Sequence, residues 1–287
     1  MNEISNELIR QLEDKAIQIR KDICVTTSKI GYSHLGGSMS MTDIAVALYY
    51  DFLNFDPKDP KNPKRDRFVL SKGHCAMCLY NIFVDLGMYT KEELWSEYNQ
   101  VGGRFGMHPN YRYLKGFEAS TGSLGHGLSL ALGMALSARM DKAAHRVICL
   151  TGDGELDEGS NWEAIMAAAH YHMGNFVLIV DKNHLQINGT TTEIMNIDPL
   201  DEKLRAFGWD VVVINGNNMR QVVTALHNLP APEPVAPKKP IAIIANTIKG
   251  KGIAHLEDTL DSHLNVMFGD LLEKSLSSIE AMRNERS

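Results

Sequence analysis

The sequence reads VICLTGDG at residues 147–154 and FVLIVDKN at residues 176–183. In each segment a run of four or five apolar residues is followed by turn-forming or polar residues, which is typical of a strand buried on both faces of a sheet. Residues 161–172, between the two segments, are rich in alanine and have the apolar spacing of a packed helix. The sequence therefore predicts a strand–helix–strand unit with parallel strands.

Signals for strands and helices alternate in the same way along the rest of the chain. This alternation predicts an α/β fold, a doubly wound and mainly parallel sheet with helices on both faces. We expect a single domain over residues 1–287, with an N-terminal helix within residues 1–30 and a helical tail at residues 265–287 that docks on a neighbouring molecule. A proline-rich stretch at 230–237 predicts a stiff surface connector, and the glycine-rich stretch at 102–125 predicts a long functional loop.

A carboxylate and an amide follow the two strands of the unit. Asp153 lies between Gly152 and Gly154 after the first strand, and Asn183 follows the second. The carboxyl ends of parallel strands lie side by side, at the edge where open α/β sheets bind ligands. Carboxylate and amide oxygens suit Mg²⁺ or Ca²⁺, and the glycines let a phosphate approach the backbone. A tight strand-to-helix turn with an ordinary N-terminal Asp has the same local pattern.

The GDG tripeptide with Asn183 downstream resembles the diphosphate-binding motif of thiamine diphosphate enzymes. Upstream, three histidines lie in segments of small residues that predict loops, and a fourth glycine-rich turn opens an apolar helix. These segments read SHLGG (33–37), SKGH (71–74), GMHP (106–109) and STGSLGHG (120–127). Any one of the histidines alone is consistent with a structural role. Together with GDGELDEGSNWEA, DKNHLQINGT and TIKGKGIAHLED, the segments resemble the N-terminal half of transketolase, from about Ile19 to His263.

The resemblance implies thiamine diphosphate as the cofactor and Mg²⁺ as the metal, with Ca²⁺ or Mn²⁺ as substitutes. It implies that Asp153, the Asn183 side chain and the Leu185 carbonyl bind the metal, because a buried diphosphate needs compensating charge. For Lys249, a solvated loop charge is the alternative to a position near the cofactor. The residues that the resemblance places at the cofactor are His74, Gly122, Ser123, Leu124, Gly152, Asp153, Gly154, Glu155, Asn183, Lys249 and His263.

The resemblance also implies a set of catalytic residues. They are His34, His74, His108, His263, Glu158 and Glu163. Imidazoles donate hydrogen bonds and shuttle protons near neutral pH, which suits attack on a ketose carbonyl and cleavage of the adjacent C–C bond. The two acids resemble family residues at a subunit interface, although acids at a helix N-terminus also interact favourably with its dipole.

The chain departs from the family pattern at three places. YSHL at 32–35 replaces the common Ser-Gly-His-Pro, Leu264 follows His263 where the family has Gly, and His126 stands where many relatives have Gln. The differences at 32–35 and at His126 bear on specificity for the ketose donor and not on the cofactor, whereas Leu264 bears on the role of His263.

Composition is that of a soluble metabolic enzyme. The 287 residues are 44% hydrophobic and 22% charged, with a formal net charge of −6. The acidic balance argues against nucleic acid or an anionic membrane as a partner. The N-terminus lacks the basic and apolar segments of a secretory signal, so we expect a cytoplasmic protein. The four cysteines show no disulfide or zinc spacing and are expected to be packed free thiols.

Complete transketolases contain a second half, which supplies the glutamate that protonates the aminopyrimidine ring, an aromatic bed for this ring, and the arginines that bind the sugar phosphate. The sequence lacks equivalents after His263. We therefore expect the N-terminal subunit of a split transketolase in carbohydrate metabolism, such as the pentose phosphate pathway. Its expected partner is a C-terminal subunit with a pyrimidine-binding and a C-terminal domain, in an α₂β₂ heterotetramer.

Three functions are compatible with these patterns. The first is transfer of a two-carbon ketol unit from a ketose, phosphorylated or otherwise anionic, to an aldose. The second is a deoxyxylulose-phosphate synthase-like or 2-oxoacid dehydrogenase-like subunit, against which the histidine-bearing loops argue. The third is a non-catalytic binding protein, against which Asp153, Asn183 and the loop histidines argue.

Overall fold

The computed structural model describes residues 4–232 and 238–285. Within these residues the chain forms seven strands and eleven α-helices. The strands are β1 (Tyr32–Ser33), β2 (Arg67–Leu70), β3 (Val147–Gly152), β4 (Phe176–Lys182), β5 (Asp210–Asn215), β6 (Ile241–Asn246) and β7 (Asn265–Val266). The helices are α1 (Asn6–Ile30), α2 (Leu35–Ser40), α3 (Thr42–Ala47), α4 (Ala76–Asp85), α5 (Lys91–Glu97), α6 (Gly127–Met140), α7 (Gly159–His170), α8 (Thr191–Ile194), α9 (Leu200–Ala206), α10 (Met219–His227) and α11 (Asp270–Ala281). Most of the predicted proline-rich connector, at 233–237, lies outside the described residues.

Five strands form a parallel sheet in the order β2–β3–β4–β6–β5. Gly152 of β3 lies opposite Asp181 of β4, and Lys182 lies opposite Asn246 of β6, so the carboxyl ends of these three strands are level. The strand–helix–strand unit predicted from residues 147–183 is β3, α7 and β4. The short strands β1 and β7 form a separate antiparallel pair.

Helices cover both faces of the sheet. Ile148 and Val177 face one apolar core, which they share with α1, α3, α4 and α10. The neighbouring residues Val147 and Phe176 face a second core with α6, α7 and α9. Burial on both faces explains why these strands are continuous apolar runs rather than alternating ones. The predicted doubly wound α/β fold is confirmed.

Residues 35–40 form helix α2, where the sequence predicted a loop of small residues. A Cβ atom added to Gly36 would lie 2.6 Å from Ser262 Oγ, and one added to Gly37 would lie 2.5 Å from Cys75 Sγ. The two glycines therefore permit close packing of a helix against its neighbours. The prediction was wrong because it took them as a sign of backbone freedom.

Helix α11 packs against α1 of the same chain. Ile279 is fully buried there, and ion pairs join Glu280 to Lys21 and Arg283 to Asp14. The side of α11 that carries Ile279 is therefore covered by the chain itself, and docking of this tail on a neighbouring molecule stays a prediction.

All four cysteines, Cys24, Cys75, Cys78 and Cys149, are buried free thiols, which is the arrangement expected from their spacing. In the ranges that the structure describes, no helix combines the length and the apolar character needed to span a membrane.

Candidate active site

The carboxyl ends of four strands meet around one cleft. Lys72 follows β2, Asp153 follows β3, Asn183 follows β4 and Lys249 follows β6. The cleft has a volume of about 390 Å³. The residues predicted for the site that line it are His34, His74, His108, Gly122, Leu124, Gly152, Asp153, Gly154, Glu155, Asn183, Leu185, Lys249 and His263.

Asp153 is nearly buried at the end of β3. Its carboxylate accepts hydrogen bonds from the backbone N–H of Gly154 at 3.0 Å and of His184 at 2.6 Å. Burial raises the pKa of Asp153 to about 6, and the nearby charge of Asp181 adds to the shift. A cation beside this carboxylate would favour its ionised form.

The other two predicted metal ligands lie in the loop after β4. Asn183 Oδ1 accepts the Leu185 N–H at 3.2 Å and keeps a second lone pair for a ligand. The Leu185 carbonyl accepts a hydrogen bond from Lys249 Nζ at 3.2 Å, so a cation already lies beside this oxygen. One carboxylate, one amide oxygen and one carbonyl fit the preference of Mg²⁺ for hard oxygen ligands.

In the part of the chain that the structure describes, no three or more His, Cys, Asp or Glu side chains cluster in a way that could hold a metal ion. A ligand set made of Asp153, Asn183 and the Leu185 carbonyl contains only one side chain of these types. Such a set would therefore not form a cluster of this kind.

Lys249 is also buried at the cleft. Burial lowers its pKa to about 8, and the positive charge of Lys72 contributes to the shift. Lys249 lines the cleft and is only 2% exposed, so it is not the solvated loop charge that was the alternative, and its place near the cofactor stays a prediction.

Beneath the cleft lies a buried ion pair between Lys72 and Asp181. Asp181 also accepts hydrogen bonds from Ser40 Oγ at 2.6 Å and from the Thr247 hydroxyl. Burial lowers the pKa of Lys72, but the charges of Asp181, Cys75 and Asp153 and the hydrogen bond to Asp181 together outweigh it, so the net shift is upward. The pair therefore joins α2 and three strand ends under the cleft.

Glu155 joins the loops around the cleft to one another. One of its carboxylate oxygens accepts the Gly125 N–H at 3.0 Å and a hydrogen bond from the Ser71 hydroxyl, and the other accepts the Gly152 N–H at 3.1 Å. Both oxygens are thus engaged within the chain. Glu155 was predicted to bind the cofactor, and in the structure its carboxylate binds Ser71, Gly125 and Gly152 of the surrounding loops.

The four predicted histidines lie together at the mouth of the cleft. The ring centroid of His34 is 5.2 Å from those of His74 and His263 and 6.4 Å from that of His108. The pairing of β1 with β7 brings His34 and His263 together, because each lies next to one of these strands. The structure thus unites four residues that come from distant loops.

These histidines are held in their neutral form. Burial lowers the pKa of His34 and of His263 to about 4, and the charge of Lys249 contributes to both shifts. The pKa of His74 is well below its ordinary value because of burial and the nearby Lys72, and burial lowers that of His108. A neutral imidazole has one donor and one acceptor nitrogen, so each ring can donate one hydrogen bond and accept another at neutral pH.

Acid should destabilise the folded chain through His34 and His263. Because burial holds their pKa near 4 in the fold against an ordinary value of 6.5, the unfolded chain binds more protons between these values. The contribution of the two neutral histidines to the free energy of unfolding is fully present above pH 6.5 and is lost as the pH falls from 6.5 to about 4. Urea unfolding midpoints of the wild type and of a His34→Gln, His263→Gln variant, compared from pH 7 to pH 4, test this. Equal losses in both proteins would contradict it.

Three predicted residues do not line the cleft. Glu158 precedes α7 and Glu163 lies within it, and both are exposed at the surface. Ser123 is exposed as well, with its Oγ 3.5 Å from His126 Nδ1. The structure does not bring these three side chains to the histidines or to Asp153.

Some residues of the site were not predicted from the sequence. Gly37, Gln186, Ile187, Asn188 and Ile194 also line the cleft. Gln186 to Asn188 directly follow the predicted Leu185, so the end of the DKNHLQINGT segment was a usable signal. Gly37 ends the SHLGG segment, but only His34 of that segment was assigned to the site.

Known proteins resemble almost the whole chain. Residues 13–274 match the family model described as "Transketolase, thiamine diphosphate binding domain". A protein of Actinobacillus succinogenes, named as one of the subunits of an apulose-4-phosphate transketolase, is 41% identical over 94% of this chain and 96% of its own length. A protein of Clostridium sp. named 6-deoxy-6-sulfo-D-fructose transketolase subunit SqwG is 38% identical, with the same two coverages of 94% and 96%.

Longer transketolases match over part of their length. Human transketolase is 34% identical over 94% of this chain, which spans 42% of the human protein. The structure of transketolase from Leishmania mexicana superposes with a TM-score of 0.86 at 26% identity, over 96% of this chain and 41% of that one. For the Campylobacter jejuni enzyme the TM-score is 0.83 at 28% identity, over 96% and 43%.

Proposed function

Because the chain belongs to the transketolase family, as its thiamine diphosphate-binding domain, we propose that it is the N-terminal subunit of a split transketolase. The observation that carries this proposal is the cluster of four neutral histidines beside Asp153 and Asn183 in one cleft. The relatives of similar length are named as subunits, which supports dependence on a partner. Their names do not favour the deoxyxylulose-phosphate synthase-like or 2-oxoacid dehydrogenase-like alternatives.

Asp153, Asn183 Oδ1 and the Leu185 carbonyl would hold Mg²⁺ and, through it, the diphosphate. When bound, thiamine diphosphate supplies the carbon nucleophile and electron sink for ketol transfer, and Mg²⁺ compensates the diphosphate charge. Lys249 adds positive charge at the same end of the cleft. Gly152 leaves space beside the backbone before Asp153, since a Cβ atom added there would meet no other heavy atom closer than 3.9 Å.

The histidines bind the ketose donor and move its protons. His34 Nδ1 is buried and has no hydrogen-bond partner among the described residues, so a ligand atom would satisfy it. His74, His108 and His263 surround the same volume with further ring nitrogens. They donate hydrogen bonds where negative charge develops on the former carbonyl oxygen, and accept the hydroxyl proton when the adjacent C–C bond breaks.

The donor is a ketose with an anionic group. The names of the two relatives specify apulose 4-phosphate and 6-deoxy-6-sulfo-D-fructose, which carry a phosphate and a sulfonate. We therefore expect a phosphorylated or sulfonated ketose for this chain as well, and an α₂β₂ assembly in which the second subunit binds the aminopyrimidine ring.

The test is reconstitution with the C-terminal subunit. With thiamine diphosphate and Mg²⁺, the mixture should transfer glycolaldehyde from xylulose 5-phosphate, apulose 4-phosphate or 6-deoxy-6-sulfo-D-fructose to an aldose, whereas neither chain should do so by itself. Light scattering should give a mass near four chains. Full turnover by the isolated chain would refute the split enzyme, and decarboxylation of pyruvate without ketol transfer would favour the second alternative.

His34→Ala and His108→Ala should each lower kcat/KM for the ketose donor by ~10²-fold, the usual scale for one positioned acid–base group. Thiamine diphosphate affinity should change much less, because neither side chain is among the residues that would hold Mg²⁺ and the diphosphate. His170→Ala is a matched control, since His170 lies at the end of α7, away from the cleft. A loss of thermal stability with unchanged donor kinetics would show that both residues are structural.

A further inference from the structure

Asn99 connects two of the segments that carry catalytic histidines. Its Nδ2 donates to the Tyr32 hydroxyl at 3.0 Å, and its Oδ1 accepts the Met107 N–H at 3.2 Å. Tyr32 lies on β1, which leads into His34, and Met107 directly precedes His108. One side-chain amide thus bridges the backbone segments of two histidines whose rings are 6.4 Å apart.

The backbone of Asn99 is fixed in a conformation that few residues adopt. Its φ is +54°, in the left-handed region that asparagine tolerates better than most residues. Its N–H donates to the Phe105 carbonyl at 2.8 Å, which closes the loop that leads to His108. The fixed backbone therefore places the Asn99 side chain so that its Nδ2 reaches Tyr32 and its Oδ1 reaches Met107.

The loop before His108 is tethered from a second side. The Tyr80 hydroxyl, in the core, donates to the Gly106 carbonyl at 2.9 Å. This bond holds the loop against α4 but does not relate it to β1. The Asn99 amide makes the connection to β1, next to His34.

We propose that Asn99 is a positioning residue for the donor-binding histidines, which sets the place of His108 relative to His34 through Tyr32 and Met107. The inference rests on the proposed ketol transfer. It follows from the chemistry of the amide, an uncharged group that donates from its nitrogen and accepts at its oxygen. A displacement of about 1 Å at a reacting group can cost ~10²-fold in rate, so a bridge between two such groups affects catalysis without touching substrate.

Three variants separate the two ends of the bridge. Asn99→Gly removes the side chain and keeps a residue that adopts positive φ. Asn99→Asp keeps an acceptor for Met107 and lets the Tyr32 hydroxyl donate to the second oxygen, so it serves as the conservative rescue. Tyr32→Phe removes one end only. Each is made with His108 intact and with His108→Ala, in the complex with the C-terminal subunit.

With His108 intact, Asn99→Gly should lower kcat/KM for the ketose donor by about 10-fold, and Asn99→Asp should recover most of this loss. Tyr32→Phe should lie between them. In the His108→Ala background Asn99→Gly should have less than about a twofold further effect, because residues that act through one another are not additive. Equal losses in both backgrounds, or no loss with His108 intact, would overturn the inference.

A readout that needs no turnover accompanies the kinetics. Hydrogen exchange at the Met107 amide should become faster in Asn99→Gly and stay close to wild type in Asn99→Asp, since only the first removes its acceptor. Unchanged exchange in Asn99→Gly would also overturn the inference. If the wild-type complex transfers no ketol unit from any of the three donors, the proposed function fails, while the exchange result still decides whether the bridge exists.

Discussion

Replacing Asp153 by alanine is expected to abolish Mg²⁺-dependent retention of thiamine diphosphate. The change removes the one charged ligand of the proposed set and leaves a diphosphate at a buried position without its compensating cation. Asn183→Ala should have nearly the same effect. Calorimetry of the assembled complex with thiamine diphosphate and Mg²⁺ measures the affinity, which should fall by more than ~10²-fold in both variants.

Two further variants control this experiment. The Gly154 and His184 amides donate to different oxygens of Asp153, so Asp153→Asn keeps an acceptor for only one of them. It removes the charge with less change of shape than alanine does, and it should also fail to bind. Asp201→Asn removes a carboxylate from the exposed pair with Arg205 and should bind as the wild type does. Wild-type affinity in Asp153→Ala or Asn183→Ala would rule out the assigned metal ligands.

Lys72→Met is expected to cost about 3–5 kcal/mol of the free energy of unfolding, because it leaves the Asp181 carboxylate buried without its cation. Ser40 and Thr247 still donate to Asp181, but hydroxyl dipoles do not replace a full charge. A Lys72→Met, Asp181→Leu variant should recover much of the loss, since two apolar groups of similar volume remove the unpaired charge. Urea unfolding of the four proteins in this cycle measures the coupling.

The exposed pair of Arg205 and Asp201 is the control for this cycle. Arg205→Met should cost less than about 1 kcal/mol, as is usual for a solvated ion pair. A loss of similar size in Lys72→Met, or purely additive effects in the double variant, would contradict the assignment of Lys72 and Asp181 as a coupled buried pair.

The strands of the sheet could be predicted because their signal is local. The apolar runs at 147–150 and 176–180 were predicted as strands, and the observed strands only extend further into their polar ends. A strand buried on both faces must be apolar at every position, so it can be recognised from its own residues alone. Helix α2 was missed because its glycines are required by close packing against Ser262 and Cys75, which are distant in the sequence.

The candidate site divides in the same way. Asp153 and Asn183 follow neighbouring strands, so local pattern and strand parallelism were enough to place them together. The meeting of His34 with His263 depends on the pairing of β1 with β7, two strands of two residues each, for which no periodic signal exists. Resemblance to a family supplied what the local pattern could not.

Asn99 and Asp181 show the remaining limit on such reasoning. Asp181 follows an apolar run, as Asp153 does, so its local pattern is that of a metal ligand. Its partner in the structure is instead Lys72, 109 positions away in the chain. Asn99 lies in a polar segment without any repeat or motif. Long-range hydrogen bonds of single side chains leave no trace in composition or spacing.

The carboxylate of Glu155 has a consequence for the thermodynamics of cofactor binding. It joins the segments of Ser71, Gly125 and Gly152 before any ligand arrives, so the conformational entropy of ordering them is lost during folding and not during association. Binding energy from the diphosphate is then not spent on loop closure. A change at Glu155 would consequently weaken cofactor binding mainly through a less favourable entropy of binding, because the carboxylate already accepts three hydrogen bonds from the chain itself.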